Sequence, residues 1–289
     1  MARNSRDYEQ GYEHGYADGH AKGFTQGSLA SAPMREPELP FHLLSGTLIQ
    51  VEGQIGAQAH LKFALDTGAS ISIVDSKIAS KLSLSRQPTQ TFNFDRMLTW
   101  QQAVIPEVRF GPIRAANVVM LVGQLTEYSE FARNADVIIG TDILKLANFT
   151  IDYDARKIIF HSLNPPAPAI GPLSNCLFLE VLIQGRRVRL IADTGFPGIL
   201  LFEERLRDSV PSLTIADSQS DVTVGERLHA KQTILRNVVI GPERRDLSVL
   251  LVKAPAPDML PGIFGVIGIS ALNAHRINCN FIDRTLTWE

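Results

Sequence analysis

One pattern constrains this chain more than any other, because it occurs twice in the same order. The stretch Gly46–Gly56 alternates apolar and polar residues, reaches a Gly-containing turn, and runs into Leu61-Lys62-Phe63-Ala64-Leu65-Asp66-Thr67-Gly68. Leu177–Gly185 does the same and runs into Val188-Arg189-Leu190-Ile191-Ala192-Asp193-Thr194-Gly195. Period-two alternation on both sides of a short Gly turn predicts a β-hairpin. Each Asp-Thr-Gly is therefore expected at the end of a strand, and the two aspartates stand 127 residues apart.

Further landmarks follow in step. Phe110-Gly111-Pro112 is answered 130 residues on by Ile240-Gly241-Pro242. Val137-Ile138-Ile139-Gly140 is answered 128 residues on by Gly265-Val266-Ile267-Gly268. Apolar strands are predicted over Val118–Val122 and Leu247–Val252. Short helices are predicted over Asp142–Leu146 and Ser270–Ala274, with Asp142 and Ser270 as caps. A closing strand is expected in each half, Phe149–Phe160 and Ile277–Trp288. Matched landmarks in one order point to an internal duplication.

The organisation that results has four parts. Residues 1–44 form a tail in which Gly11, Gly15, Gly19, Gly23 and Gly27 recur every four residues, in phase with Tyr8, Tyr12, Tyr16, His20 and Phe24. On a helix those glycines keep to one face, which would let a second helix approach and give self-association through residues 8–27. The other reading is a solvated, disordered tail. Residues 45–161 and 174–289 are the two repeated lobes. Between them, 162–173 is a Pro-rich linker marked by Pro165, Pro166, Pro168 and Pro172.

At 289 residues the chain can bury two modest cores. Its net charge of -2 and the absence of a basic cluster give no reason to expect nucleic acid as a partner. No run approaches a membrane span, and no apolar signal core follows the N-terminus, so a cytoplasmic protein is expected. It would be periplasmic if a signal peptide has been removed. The two cysteines, Cys176 and Cys279, read as buried free thiols. No G-x-S-x-G, phosphate loop or H-E-x-x-H occurs, and the seven histidines are scattered, so neither metal nor cofactor is expected.

A strand ending in Asp-Thr-Gly, followed by an apolar-apolar-Gly strand and a short helix, resembles one lobe of an aspartic protease. The lobe length is similar to the retroviral-type (retropepsin-like) unit. Two units in one chain resemble the bacterial retropepsin-like proteases in which duplication replaces homodimerisation, and the resemblance covers residues 45–289. It implies an all-β, bilobal fold of two pseudo-symmetric acid-protease barrels, mainly β with short helices. It also implies an aspartic endopeptidase with Asp66 and Asp193 as the catalytic pair and a polypeptide substrate. Two carboxyl groups that close cannot both ionise, so together they supply a base for water and an acid for the carbonyl oxygen. Thr67, Gly68, Ser70, Thr194 and Gly195 would support the loops, the threonines bonding across to the opposite loop. Gly140 and Gly268 would pass behind them. Flap hairpins are expected over Thr91–Ala103 and Val222–Gln232, with Phe92, Phe94, Trp100 and Phe196 as substrate-binding candidates.

The second loop departs from that pattern. Ala69-Ser70 follows the first Gly, whereas Phe196-Pro197-Gly198 follows the second. This keeps a second reading open, a retropepsin-like peptide-binding module with weak or no turnover. A third is a two-domain β-protein whose lobes do not face each other. With no hydroxyl directly after either Gly, the working range is expected to be less acidic than pepsin's. The tail carries four Lys/Arg against six acids, unlike a basic prosegment.

Overall fold

The computed structural model describes residues 36–44, 46–93, 96–128, 132, 134–165, 175–210, 213, 220–224, 228–255 and 260–289. Pro37–Glu289 form one compact unit. The glycine-repeat segment, most of the Pro-rich linker and Phe94 lie outside the described residues.

The fold is mainly β, as the resemblance implies. In the first half β1 (Glu38–Pro40) and β2 (His42–Leu44) precede the hairpin β3 (Leu48–Ile55) and β4 (Gln58–Leu65). Then come β5 (Ile73–Asp75), α1 (Ser76–Lys81), the long hairpin β6 (Gln87–Asn93) and β7 (Arg96–Phe110), and β8 (Ile113–Gly123). α2 (Leu125–Tyr128), β9 (Val137–Ile139) and α3 (Thr141–Leu144) lead to a last hairpin, β10 (Ala147–Asp152) and β11 (Lys157–Leu163). The second half runs through β12 (Phe178–Ile183), β13 (Arg186–Asp193), β14 (Ile199–Phe202) and α4 (Glu203–Ser209). It continues with β15 (Ser220–Val224), β16 (Leu228–Ile240), β17 (Glu243–Val252) and β18 (Gly265–Gly268). A 3-10 turn (Ile269–Leu272), β19 (Arg276–Asn280) and β20 (Thr285–Trp288) complete it.

Pairing follows one plan in both halves. β4 lies parallel to β9, and β5 is flanked by β8 (parallel) and β9 (antiparallel). β3 also pairs with β7, which closes a six-stranded barrel. In the second half β13 lies parallel to β18, β14 is flanked by β17 and β18, and β12 closes onto β16. Alternation explains the sidedness: β4 buries Leu61 and Phe63 and exposes Lys62 between them. The β12–β13 turn uses Gln184 and Gly185, both at positive φ, as a two-residue hairpin turn requires.

Two details differ from the expected boundaries. Strand structure begins at Glu38, inside the stretch assigned to the tail. β1 pairs with β11, and Phe41 between β1 and β2 is buried. The closing segments are hairpins rather than single strands. Tyr153–Arg156 and Phe281–Arg284 turn the chain, with Asp152 accepting the Ala155 N–H and Asn280 accepting those of Ile282 and Asp283. The outcome is a shared sheet: β10 pairs with β19, Phe149 facing Cys279 and Ile151 facing Ile277. Each half thus covers an edge strand of the other. Cys176 and Cys279 are free and buried, and burial pushes their thiols up to about 11 and about 12.

The barrel interiors are filled differently. In the first, a Cβ on Gly53 would fall 2.2 Å from the Phe63 ring, so the ring occupies space that only Gly leaves free. Gly53 faces Leu61, five residues before Asp66, as Val181 faces Val188, five before Asp193, so the same two positions in the second barrel are Val181 and Leu190. There they line a small apolar cavity with Leu235, Val249 and Ile267. Gly53→Ala should therefore cost about 1–3 kcal/mol through overpacking. Phe63→Leu, which opens space, should cost about 1–2 kcal/mol. Denaturant melts of the double variant are expected to show a cost below the sum of the two, and strict additivity would contradict the packing account.

Candidate active site

The two Asp-Thr-Gly loops meet. β4 ends at Leu65 and β13 at Asp193, and each loop is aimed at the other by a reciprocal set of buried hydrogen bonds. Thr67 donates its N–H to Thr194 Oγ1 at 3.0 Å, and Thr194 donates its N–H to Thr67 Oγ1 at 3.0 Å. The Thr67 hydroxyl donates to Ala192 O and the Thr194 hydroxyl to Leu65 O, both at 2.8 Å. Each hydroxyl is donor and acceptor at once, so no polar atom of the crossing is left unpaired. The reading in which the halves do not face each other is excluded by these bonds.

The carboxyl groups lie over that crossing and are hydrogen-bonded to one another. Asp66 Oδ1 accepts the N–H groups of Gly68 (2.9 Å) and Ala69 (3.1 Å). Asp193 Oδ1 accepts Gly195 N–H at 2.6 Å, and Phe196 N–H bonds the same carboxyl. The two glycines permit the close approach crosswise. A Cβ on Gly68 would lie 2.3 Å from Asp193 Oδ2, and one on Gly195 would lie 2.8 Å from Asp66 Cγ. No larger residue fits at either place.

Burial raises both carboxyls above their ordinary values. Asp66 is pulled back by its bond from Asp193 and by the Gly68 and Ala69 N–H groups. Asp193 is pushed well above the usual range, first by burial and then by the charge of Asp66. The pair therefore holds one proton over a range in which isolated carboxyls would have none.

The other residues singled out in the sequence are placed as follows. Ser70 is exposed beside the first loop. Both flap stretches form antiparallel pairs, β6 with β7 as far as Asn93 opposite Arg96 and β15 with β16 as far as Val224 opposite Leu228. Phe92 lies on β6 opposite Met97, and Phe94 falls outside the described residues. Trp100 is half-buried. It packs on the cluster that also carries Ala69 and Leu44, with its ring against Gly123. Phe196 is half-buried too, but against Ile191, Leu200 and Phe202 of its own half. Its bulk is taken up by the core, and the second loop keeps both N–H bonds to its carboxyl despite the altered sequence. Gly140 and Gly268 do pass behind the loops. A Cβ there would meet Ala69 O at 2.7 Å and Phe196 O at 2.0 Å respectively.

Sequence reading misassigned Asp142. It is not the N-cap of α3, which is Gly140 with no side-chain bond. Asp142 instead turns to Ser72, 70 residues away, with Oδ1 2.6 Å from the hydroxyl. Nothing local in the sequence signals that contact. Ser270 likewise leaves its helix end uncapped and donates to Pro197 O. Among the described residues no cluster of His, Cys, Asp and Glu is arranged to hold a metal, and no helix is long and apolar enough to cross a membrane.

Residues 51–143, from β3 into α3, match the family model described as aspartyl protease. The matched segment contains Asp66 with its loop, the β6–β7 hairpin and the Gly140 strand. A crystal structure of a retropepsin-like aspartic protease from Rickettsia conorii also aligns, with 18% identity and a TM-score of 0.34. The alignment covers 46% of this chain and 96% of that one. No curated protein matches the chain. Asp193 and the second half lie beyond the aspartyl-protease match, so their role rests on the geometry described above.

Proposed function

We propose that the chain is an aspartic endopeptidase in which one water, held between Asp66 and Asp193, attacks the scissile peptide carbonyl. The observation that carries this reading is the reciprocal crossing of Thr67 and Thr194, which brings the half-buried Asp66 and the buried Asp193 into hydrogen-bond contact. The ionised member of the pair takes the proton of the attacking water. The other member's proton goes to the carbonyl oxygen, giving a neutral tetrahedral intermediate. The same groups then deliver a proton to the leaving amine. The recurrence of the strand plan in the second half supports the reading of a duplicated lobe.

The test is cleavage of a denatured casein by the full chain across about pH 3 to 8, with and without a statine-type inhibitor. Cleavage blocked by the inhibitor supports the enzyme. Binding of the casein without cleavage favours the peptide-binding module, whose motivation was the Phe196-Pro197 departure. A rate profile peaking near about pH 2 would contradict the raised carboxyls.

The dyad also makes a prediction about stability. Because the Asp193 carboxyl is raised in the folded chain, its proton is held more tightly there than in the unfolded chain. That contribution is complete at low pH and is lost as pH rises through the folded value. The melting temperature of Asp193→Asn relative to the unchanged protein should therefore increase with pH. Parallel curves would show that burial of this carboxyl carries no such cost.

A further inference from the structure

A partly buried carboxylate braces the back of the first loop, and the second loop has no counterpart. Asp142 Oδ2 accepts the Ser72 N–H at 3.1 Å, while Oδ1 accepts the Ser72 hydroxyl at 2.6 Å and the Ile143 N–H at 3.1 Å. The Ser72 hydroxyl in turn accepts the Gly140 N–H at 2.9 Å. From there the bonds continue to the dyad. Thr141 donates its N–H (2.8 Å) and hydroxyl (3.1 Å) to Ala69 O, and Ala69 N–H donates to Asp66 Oδ1.

In the second half Leu200 faces Val266 as Ile73 faces Ile138. That register puts Ile199 in the place of Ser72 and Ser270 in the place of Asp142. There the loop is held by Gly268 N–H to Gly198 O at 2.6 Å and by the Ser270 hydroxyl to Pro197 O at 3.2 Å. Neither bond involves an ionisable group.

We propose that Asp142 is a positioning residue for the Asp66 side of the pair: it seats the first loop through Ser72, a brace that the second loop lacks. This rests on the reading of Asp66 and Asp193 as the reacting groups. Three donors converge on Asp142, two on Oδ1 and one on Oδ2, and an ionised carboxylate accepts all three. An amide in its place turns a donor of its own toward one of them.

Hydrogen exchange of segments 66–75 and 137–146 and steady-state cleavage test this on the full chain. The variants are Asp142→Asn and the pair Ser72→Ile/Asp142→Ser, which installs the second half's arrangement. Asp142→Asn should quicken exchange about tenfold in these segments but not in 193–202. It should lower kcat about 10- to 100-fold, with KM within about twofold. The paired variant should restore the protection and most of kcat. Asp142→Asn with unchanged exchange and kcat would overturn the proposal, as would a paired variant no better than Asp142→Asn. If the unchanged protein cleaves nothing, the protease reading fails, and exchange alone decides whether Asp142 seats the loop.

Discussion

Asp66→Asn and Asp193→Asn are each expected to lower turnover of a denatured casein by about 10³-fold or more, while binding changes little. Each substitution keeps the size of the side chain and removes the shared proton chemistry. The double variant should be no worse than either single one, because the two groups act as a unit. Circular dichroism and melting curves would establish that all three variants fold. Turnover that survives either substitution would remove that carboxyl from the mechanism. A loss confined to Asp66→Asn would mean that the second loop supplies structure but no chemistry. The native contacts argue otherwise: Gly195 and Phe196 serve Asp193 as Gly68 and Ala69 serve Asp66.

The second large effect is expected at the crossing. Thr67→Ala removes the bond to Ala192 O and the acceptor for Thr194 N–H, leaving two buried backbone groups without partners. Thr194→Ala does the same to Leu65 O and Thr67 N–H. Each should cost about 2–4 kcal/mol in denaturant melts, since an orphaned buried group forfeits its full desolvation. Thr67→Ser and Thr194→Ser keep the hydroxyl and should stay within about 1 kcal/mol of the unchanged protein. Turnover should fall with the alanine variants and persist with the serine ones. An alanine variant as stable as the unchanged protein would mean that the shared sheet of β10 and β19 alone holds the halves together.

Much of this was legible in the chain itself. Period-two alternation and Gly turns located the hairpins that end at Asp66 and Asp193, because a strand's sidedness is written in adjacent residues. The matched spacing of Gly111 with Gly241 and Gly140 with Gly268 placed the strands behind each loop. Turn chemistry at Asp152 and Asn280 was equally local, yet the closing segments were read as single strands because their apolar content masks the turn. The start at Glu38 was missed for a related reason: three-residue strands carry too little pattern to outweigh a polar neighbourhood.

Other features depend on residues far apart in sequence. Alternation and spacing determined that Asp66 and Asp193 end equivalent strands in a mainly β chain. Only the tertiary structure decided that their carboxyls touch and that Phe196 turns into its own core. It alone also showed that Asp142 leaves its helix end for Ser72. Local periodicity reports which face of an element is apolar. A contact between residues 70 or 127 positions apart is set by packing, which no local window records.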